Sequence, residues 1–144
     1  MTSSAIYGCL GLTLTEAEKR FFGESDPWGF IIFARNIDNP DQVRALTDEF
    51  RAVVGWNAPI LIDQEGGRVA RLRPPHWRSY PPGRRYGDIY ATSPSDGLTA
   101  ARLGAQLIAL ELRDVGVDVD CLPVLDVPVP GAHDVIGDRA YGET

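Results

Sequence analysis

The sequence predicts an α/β fold built on a parallel sheet, and three observations carry that reading. Short aliphatic and β-branched runs recur at Ala5–Leu10, Trp28–Phe33, Ala58–Ile62 and Val117–Leu122. Runs of four to eight such residues read as strands, and the second and third are almost wholly apolar, as when both faces of a sheet are covered. Between the runs lie segments with apolar residues at helical spacing, and each run ends in a loop carrying charge, Gly or Pro. Strands that alternate with helices form βαβ units with right-handed crossovers.

Each element follows from its residues. After the first strand, Thr15 followed by Glu16 and Glu18 reads as an N-cap with acidic residues in the first helical turn. Asn36-Ile37-Asp38-Asn39-Pro40 then leads from the second strand into a helix whose apolar face is Val43, Leu46, Phe50 and Val53 or Val54. The stretch 73–94 is rich in Pro, Gly, Arg and Tyr and reads as a long irregular excursion. From Ser95 a helix is expected, with Leu98, Ala101, Leu103, Leu107 and Leu110 as its apolar face and a stop at Asp114-Val115-Gly116. Val117–Leu122 alternates as a fourth strand, and Pro123–Val127 opens another loop.

The third strand runs directly into Asp63-Gln64-Glu65-Gly66-Gly67-Arg68-Val69-Ala70-Arg71. Loops after parallel strands are where α/β proteins build their sites, so carboxylates and guanidiniums placed here are positioned to meet a ligand. The Gly pair permits tight turns or close ligand approach. The competing reading is structural: Asp63 and Glu65 cap the next element and pair with Arg68 and Arg71.

Composition excludes several functions. With 20 acidic against 14 basic residues the net charge is -6, which opposes binding to a phosphate backbone. The Arg-rich stretch 68–85 does not reverse this, so no nucleic-acid partner is expected. The two cysteines, Cys9 and Cys121, each sit in an apolar run and are expected to be small buried hydrophobes without a disulfide. Residues 5–12 are too short and Gly-broken to span a membrane, so no membrane partner is expected and a cytoplasmic location is the default. His76 and His133 read as solvent-exposed loop residues. No His/Cys/Asp cluster has ligand spacing, and no Gly-rich phosphate loop occurs, so neither metal nor cofactor is expected.

Four blocks in order carry a resemblance: Gly29-Phe30-Ile31-Ile32-Phe33-Ala34-Arg35-Asn36, the string Asp63 to Arg71, Pro123-Val124-Leu125-Asp126-Val127, and Ile136-Gly137-Asp138-Arg139-Ala140-Tyr141. Together they resemble family 3 of the glycoside hydrolases, in its β-N-acetylhexosaminidase branch. The resemblance implies a (β/α)8 barrel of the TIM type. It also implies removal of non-reducing terminal N-acetylglucosamine from cell-wall fragments in peptidoglycan recycling, the substrate being an N-acetylglucosamine-containing muropeptide. A whole barrel takes about 250 residues, so the 144 residues here are expected to form its N-terminal part, with about four parallel strands in a single partial domain.

Carried onto matching positions, the resemblance implies that Asp63 accepts hydrogen bonds from the terminal sugar, and that Arg71 and Arg139 donate to the same ring. Glu65, Arg68 and Asp126 are weaker candidates, with loop support as the competing role. Asp63 and Glu65 share a face at i and i+2, a spacing compatible with the paired groups of a retaining glycosidase. The resemblance implies otherwise. In this family the nucleophile is an Asp after a late strand and the acid/base is a His on a mid-barrel loop, both expected beyond Thr144, which leaves no catalytic residue in this chain. Asp120 and Asp138 stand where the family often has Asn and Glu respectively. Rival readings are a β-glucosidase or β-xylosidase of the same family and a non-catalytic sugar-binding half-barrel. A sheet left open at both edges is expected to self-associate.

Overall fold

The computed structural model describes residues 1–131 and 133–143. Thr144, expected inside a loop, lies outside them. The fold is α/β: four parallel strands, β1 (Ser3–Tyr7), β2 (Pro27–Ile32), β3 (Ile60–Ile62) and β4 (Val119–Asp120), lie side by side in sequence order. Its helices are α1 (Glu16–Ser25), α2 (Pro40–Val54), α3 (Gly83–Thr92) and α4 (Pro94–Asp114). The chain divides into two compact units, one of 1–62 with 111–120 and one of 63–110 with the described residues from Cys121 on.

The first unit contains the whole sheet. Phe30, Ile32, Ile60 and Ile62 are fully buried, as expected for strands flanked by helices. Phe30 stacks on Phe50 of α2 with ring centroids 4.1 Å apart, and Phe22 of α1 meets Phe30 edge-on at 5.2 Å. These three rings, with Val43 and Leu46, fix both helices by burying apolar area. α1 begins with a capping box: the Glu18 N–H donates to the Thr15 hydroxyl at 3.2 Å and the Thr15 N–H donates to Glu18 at 2.8 Å. α2 begins at Pro40 after the N-cap Asn39 and ends at Gly55.

α2 also clasps the return of the chain into this unit. Arg44 Nε donates to the Asp114 carbonyl at 2.8 Å, and Arg51 Nη2 to the Gly116 carbonyl at 2.8 Å and Asp118 Oδ2 at 2.7 Å. The buried Thr47 hydroxyl lies within reach of the Arg44 and Val115 carbonyls and shares its one proton between them. Gly116 has φ +80 and lies so close to Thr47 that a Cβ would overlap the hydroxyl, which is why the expected helix stop needs Gly.

All four strands differ from expectation in their boundaries, the second by one residue at each end. The first strand ends at Tyr7 rather than Leu10, because the Cys9 carbonyl is taken by Arg35 Nε at 3.0 Å and Asn36 Nδ2 at 3.1 Å instead of a ladder. It is also only half-buried and alternating, as an edge strand is. The third strand begins at Ile60. The fourth shrinks from six residues to two: Asp118 Oδ2 accepts the Ile60 N–H at 3.1 Å, and Pro123 has no N–H to offer.

In the second unit, the excursion 73–94 is not irregular throughout, since Gly83–Thr92 is the helix α3. Pro82 precedes its first turn, where the missing N–H costs nothing, and no Pro interrupts the ten residues that follow. α4 has the expected length but not the expected buried face. Leu98, Leu103, Leu107 and Leu110 are 40–65 % exposed, while Gly97, Gly104, Ile108 and Leu112 are buried. The stripe chosen by packing is the small-residue one, because tyrosines of α3 press against it. Cys121 is exposed, unlike Cys9, since its strand has ended before it.

Candidate functional site

The site is assembled by the second unit from the segment that follows β3 and from 133–143. Asp63 is the residue after the last of β3, and from there the backbone folds back on itself. The Glu65 N–H donates to the Val69 carbonyl at 2.9 Å, and Gly66 and Gly67 turn with φ of +87 and +57. A side chain at Gly67 would meet Pro82 at 2.7 Å, and one at Gly66 would overlap the Pro81 carbonyl. Both glycines are therefore required by conformation and by close backbone approach.

Gln64 locks this turn. Its buried side-chain oxygen accepts the N–H groups of Arg71 at 2.7 Å and Leu72 at 3.0 Å, and its Nε2 donates to the Leu72 carbonyl at 3.0 Å. An amide does for residues 71–72 what a neighbouring strand would do. Gln64 is not among the site residues expected from the sequence. Its only signal was a neutral amide of the right reach inside an otherwise charged string.

The lock delivers Arg71 to Asp63: Nη2 donates to Asp63 Oδ2 at 2.7 Å, with the two side chains 24 % and 26 % exposed. Arg71 Nε is buried without a hydrogen-bond partner. Beside this pair, Arg139 grips Glu65 through two parallel bonds, Nε to Oε2 at 2.8 Å and Nη2 to Oε1 at 2.7 Å. Glu65 is 7 % exposed in its side chain and Arg139 22 %. The bonds to Glu65 hold the Arg139 pKa above the usual guanidinium value. Burial opposes this, while the charges of Glu65, Asp126 and Asp63 add to it. Asp63, Arg71, Glu65, Arg139 and the exposed Asp126 thus form one electrostatic cluster of alternating sign.

Arg68 serves the loop that carries Arg139. Its Nε donates to Asp138 Oδ1 at 3.1 Å, and its Nη2 reaches the carbonyls of Asp134, Val135 and Ile136 at 3.3, 2.7 and 3.1 Å. Arg68 and Glu65 therefore have the loop-support bonds that formed the competing reading for both. His76 and His133 are exposed and stand in loops. Among the described residues no group of three His, Cys, Asp or Glu is arranged to hold a metal ion, and no helix is long and apolar enough to cross a membrane.

Glu65 accepts one guanidinium bond at each oxygen and is nearly excluded from water, which makes it the partner that holds Arg139. What the cluster offers is recognition. A partly exposed carboxylate and two planar guanidiniums can accept from and donate to the vicinal hydroxyls of one small polar molecule.

Parallel strands in sequence order followed by such a cluster define an α/β protein with a strand-end polar site. The family can be stated: the model for the glycosyl hydrolase family 3 N-terminal domain matches residues 15–144, and the chain belongs to that family. A beta-hexosaminidase of Methylobacillus flagellatus is 40% identical over 132 residues, covering 92% of this chain and 37% of that protein. The crystal structure of NagZ from Neisseria gonorrhoeae in complex with N-trifluoroacetyl-D-glucosamine superposes with a TM-score of 0.90 at 31% identity. It covers 99% of this chain and 41% of that one. A family 3 beta-N-acetylglucosaminidase from Paenibacillus superposes with a TM-score of 0.81 at 32% identity over 96% of this chain and 26% of its own. The chain therefore spans about two fifths or less of the length of these relatives.

Proposed function

We propose that this chain forms the terminal-sugar-binding part of a β-N-acetylhexosaminidase that hydrolyses N-acetylglucosaminides of peptidoglycan fragments by a retaining mechanism. The observation that carries the reading is the Asp63–Arg71 pair, partly exposed and braced by Gln64, beside the Arg139–Glu65 pair. Asp63 accepts from sugar hydroxyls, and Arg71 and Arg139 donate to hydroxyl or acetamido oxygens of the same residue. Pre-formed ion pairs keep these long side chains ordered before the sugar arrives, which lowers the entropic cost of binding. Hydrolysis with retention needs a nucleophile and a proton donor. With Glu65 fully engaged, we assign neither role to residues 1–144. The names of the similar proteins and the sugar derivative in one of them support the hexosaminidase over a glucosidase or xylosidase. A cytoplasmic site of action in peptidoglycan recycling belongs to the same proposal.

The test uses an aryl N-acetyl-β-glucosaminide. The 144-residue chain alone should give no turnover, and hydrolysis by it would restore Asp63 and Glu65 as the reacting pair. In a longer β-hexosaminidase carrying this sequence, Asp63→Ala and Arg71→Ala should each lower kcat/KM by at least roughly tenfold, since each strands a charged partner. Unchanged kinetics in both would remove them from the site.

A further inference from the structure

Arg139 is held at its guanidinium by Glu65, but a long side chain gripped at its tip is positioned only if its backbone is held as well. The backbone anchor lies on α3. A Cβ on Gly83 would come within 2.5 Å of the Arg139 carbonyl oxygen and 3.0 Å of the Tyr141 ring, and a Cβ on Gly87, one turn later, would overlap the Tyr141 carbonyl. The segment 139–141 therefore lies directly on a bare strip of helix backbone. Two further glycines set α3 itself: Gly97 of α4 receives the Tyr90 backbone, and Gly104 receives the Tyr86 hydroxyl, so closely that a Cβ at either would overlap them. Tyr86 then stacks on Tyr141, with centroids 5.9 Å apart and planes 16° apart. Burial pushes the Tyr86 hydroxyl pKa up.

We propose that α3 is the positioning element for Arg139: its Gly83–Gly87 strip and the Tyr86 ring seat residues 139–141 so that the guanidinium meets Glu65 in the two-bond arrangement. The two parallel bonds at 2.8 and 2.7 Å tolerate only small displacements of the Arg139 backbone. A methyl on Gly87 has to displace the Tyr141 carbonyl and, two residues away, Arg139 with it. Gly83, Gly87, Tyr86 and Tyr141 touch no reacting atom by this account; they act through Arg139. That Arg139 contacts substrate rests on the function proposed above, whereas its seating does not.

The experiment is residue-resolved modification of the full chain by phenylglyoxal in dilute solution. It is read by peptide mass spectrometry, with Arg71 as the reference inside the same molecule. In the unaltered chain both arginines should react slowly. Gly87→Ala should accelerate Arg139 selectively while Arg71 stays slow, Tyr86→Leu should do the same, and Tyr86→Phe, which keeps the ring, should restore slow reaction. A purely structural loss would speed Arg139 and Arg71 together. If Gly87→Ala does not fold, the Tyr86→Leu and Tyr86→Phe pair decides. Arg139 reacting no faster than in the unaltered chain, in variants whose Arg71 remains slow, would overturn the proposal. Failure of N-acetylglucosamine to slow modification of Arg71 and Arg139 in the unaltered chain would count against the proposed function and leave the seating result intact.

Discussion

Cys9 and Cys121 are the same side chain in two different solvents. Cys9 is buried, and burial, helped by the charge of Glu18, pushes its thiol pKa from 9.0 up to about 11. Cys121 is exposed. At neutral pH, iodoacetamide should label Cys121 and leave Cys9 unmodified until the chain is unfolded, as read by peptide mass. Because the raised pKa disfavours the folded thiolate, Cys9 contributes its full stability below about pH 9, and that contribution is lost as pH climbs toward about 11. Rapid labelling of Cys9 in the folded chain at pH 7 would contradict its burial. The same contrast shows what was legible residue by residue. Resemblance points to Asp63, Arg71 and Arg139 at matching positions, and the structure brings all three into one cluster, while their contact with a sugar belongs to the proposal. The bidentate grip of Glu65 on Arg139 was not found, since it joins residues 74 apart and no local spacing encodes it. Nor was the exposure of Cys121, which depends on where a strand stops pairing.

At the scale of the element, α1 offers the cleanest test of a local signal. Thr15 is the N-cap that the sequence places there, and in the structure it closes a capping box with Glu18. Burial by itself would raise the Glu18 pKa, but bonds from the Thr15 N–H, the Thr15 hydroxyl and the Leu10 N–H outweigh it and lower the value below 4.5. A depressed carboxylate pKa stabilises the fold above the unfolded value and loses that stabilisation as pH falls through the folded one. Thr15→Ala should cost about 1 kcal/mol in denaturant unfolding at pH 7. The loss should be smaller once the pH has fallen well below the folded Glu18 value, where the protonated carboxyl no longer completes the box. An equal cost at both pH values would show that the cap does not depend on that charge. Caps are legible because they are contained in four residues. The buried face of α4 was not legible, because helical periodicity ranks leucines above glycines. Packing here follows the partner: tyrosines of α3 need the flat Gly97 and Gly104 strip, and the larger leucines are left outside.

For the whole molecule, strand direction was legible, since alternation of strands and helices admits few topologies, while the sequential strand order follows from the barrel that the resemblance implies. Strand lengths were not, because side chains such as Asn36 and Asp118 take over backbone groups that periodicity assigns to the ladder. Among the described residues β1 and β4 each have one sheet neighbour, so two rows of backbone donors and acceptors lack ladder partners. Leu103, Leu107 and Leu110 add exposed apolar surface on one side of α4, and Leu10, Leu125 and Val129 are exposed as well. We therefore expect the purified 144-residue chain to sediment as oligomers at micromolar concentration. A monomer that unfolds cooperatively and binds no apolar dye would contradict this.

The clasp of α2 on residues 114–118 has a consequence in time as well as in space. Chains are made from the N-terminus, and β3 leaves the ribosome well before the residues that complete its unit. Until Asp118 and Val119 emerge, the Ile60 N–H has no acceptor from that side, Leu61 and Ile62 have no β4, and Arg44, Thr47 and Arg51 face water instead of their carbonyls. Synthesis at about 5–20 residues per second makes that wait roughly three to ten seconds. For those seconds a chain whose first three strands have already paired would carry an open edge of Ile-Leu-Ile. Speeding or stalling translation between codons 63 and 110 then becomes a way to alter the yield of folded chain without changing a single amino acid.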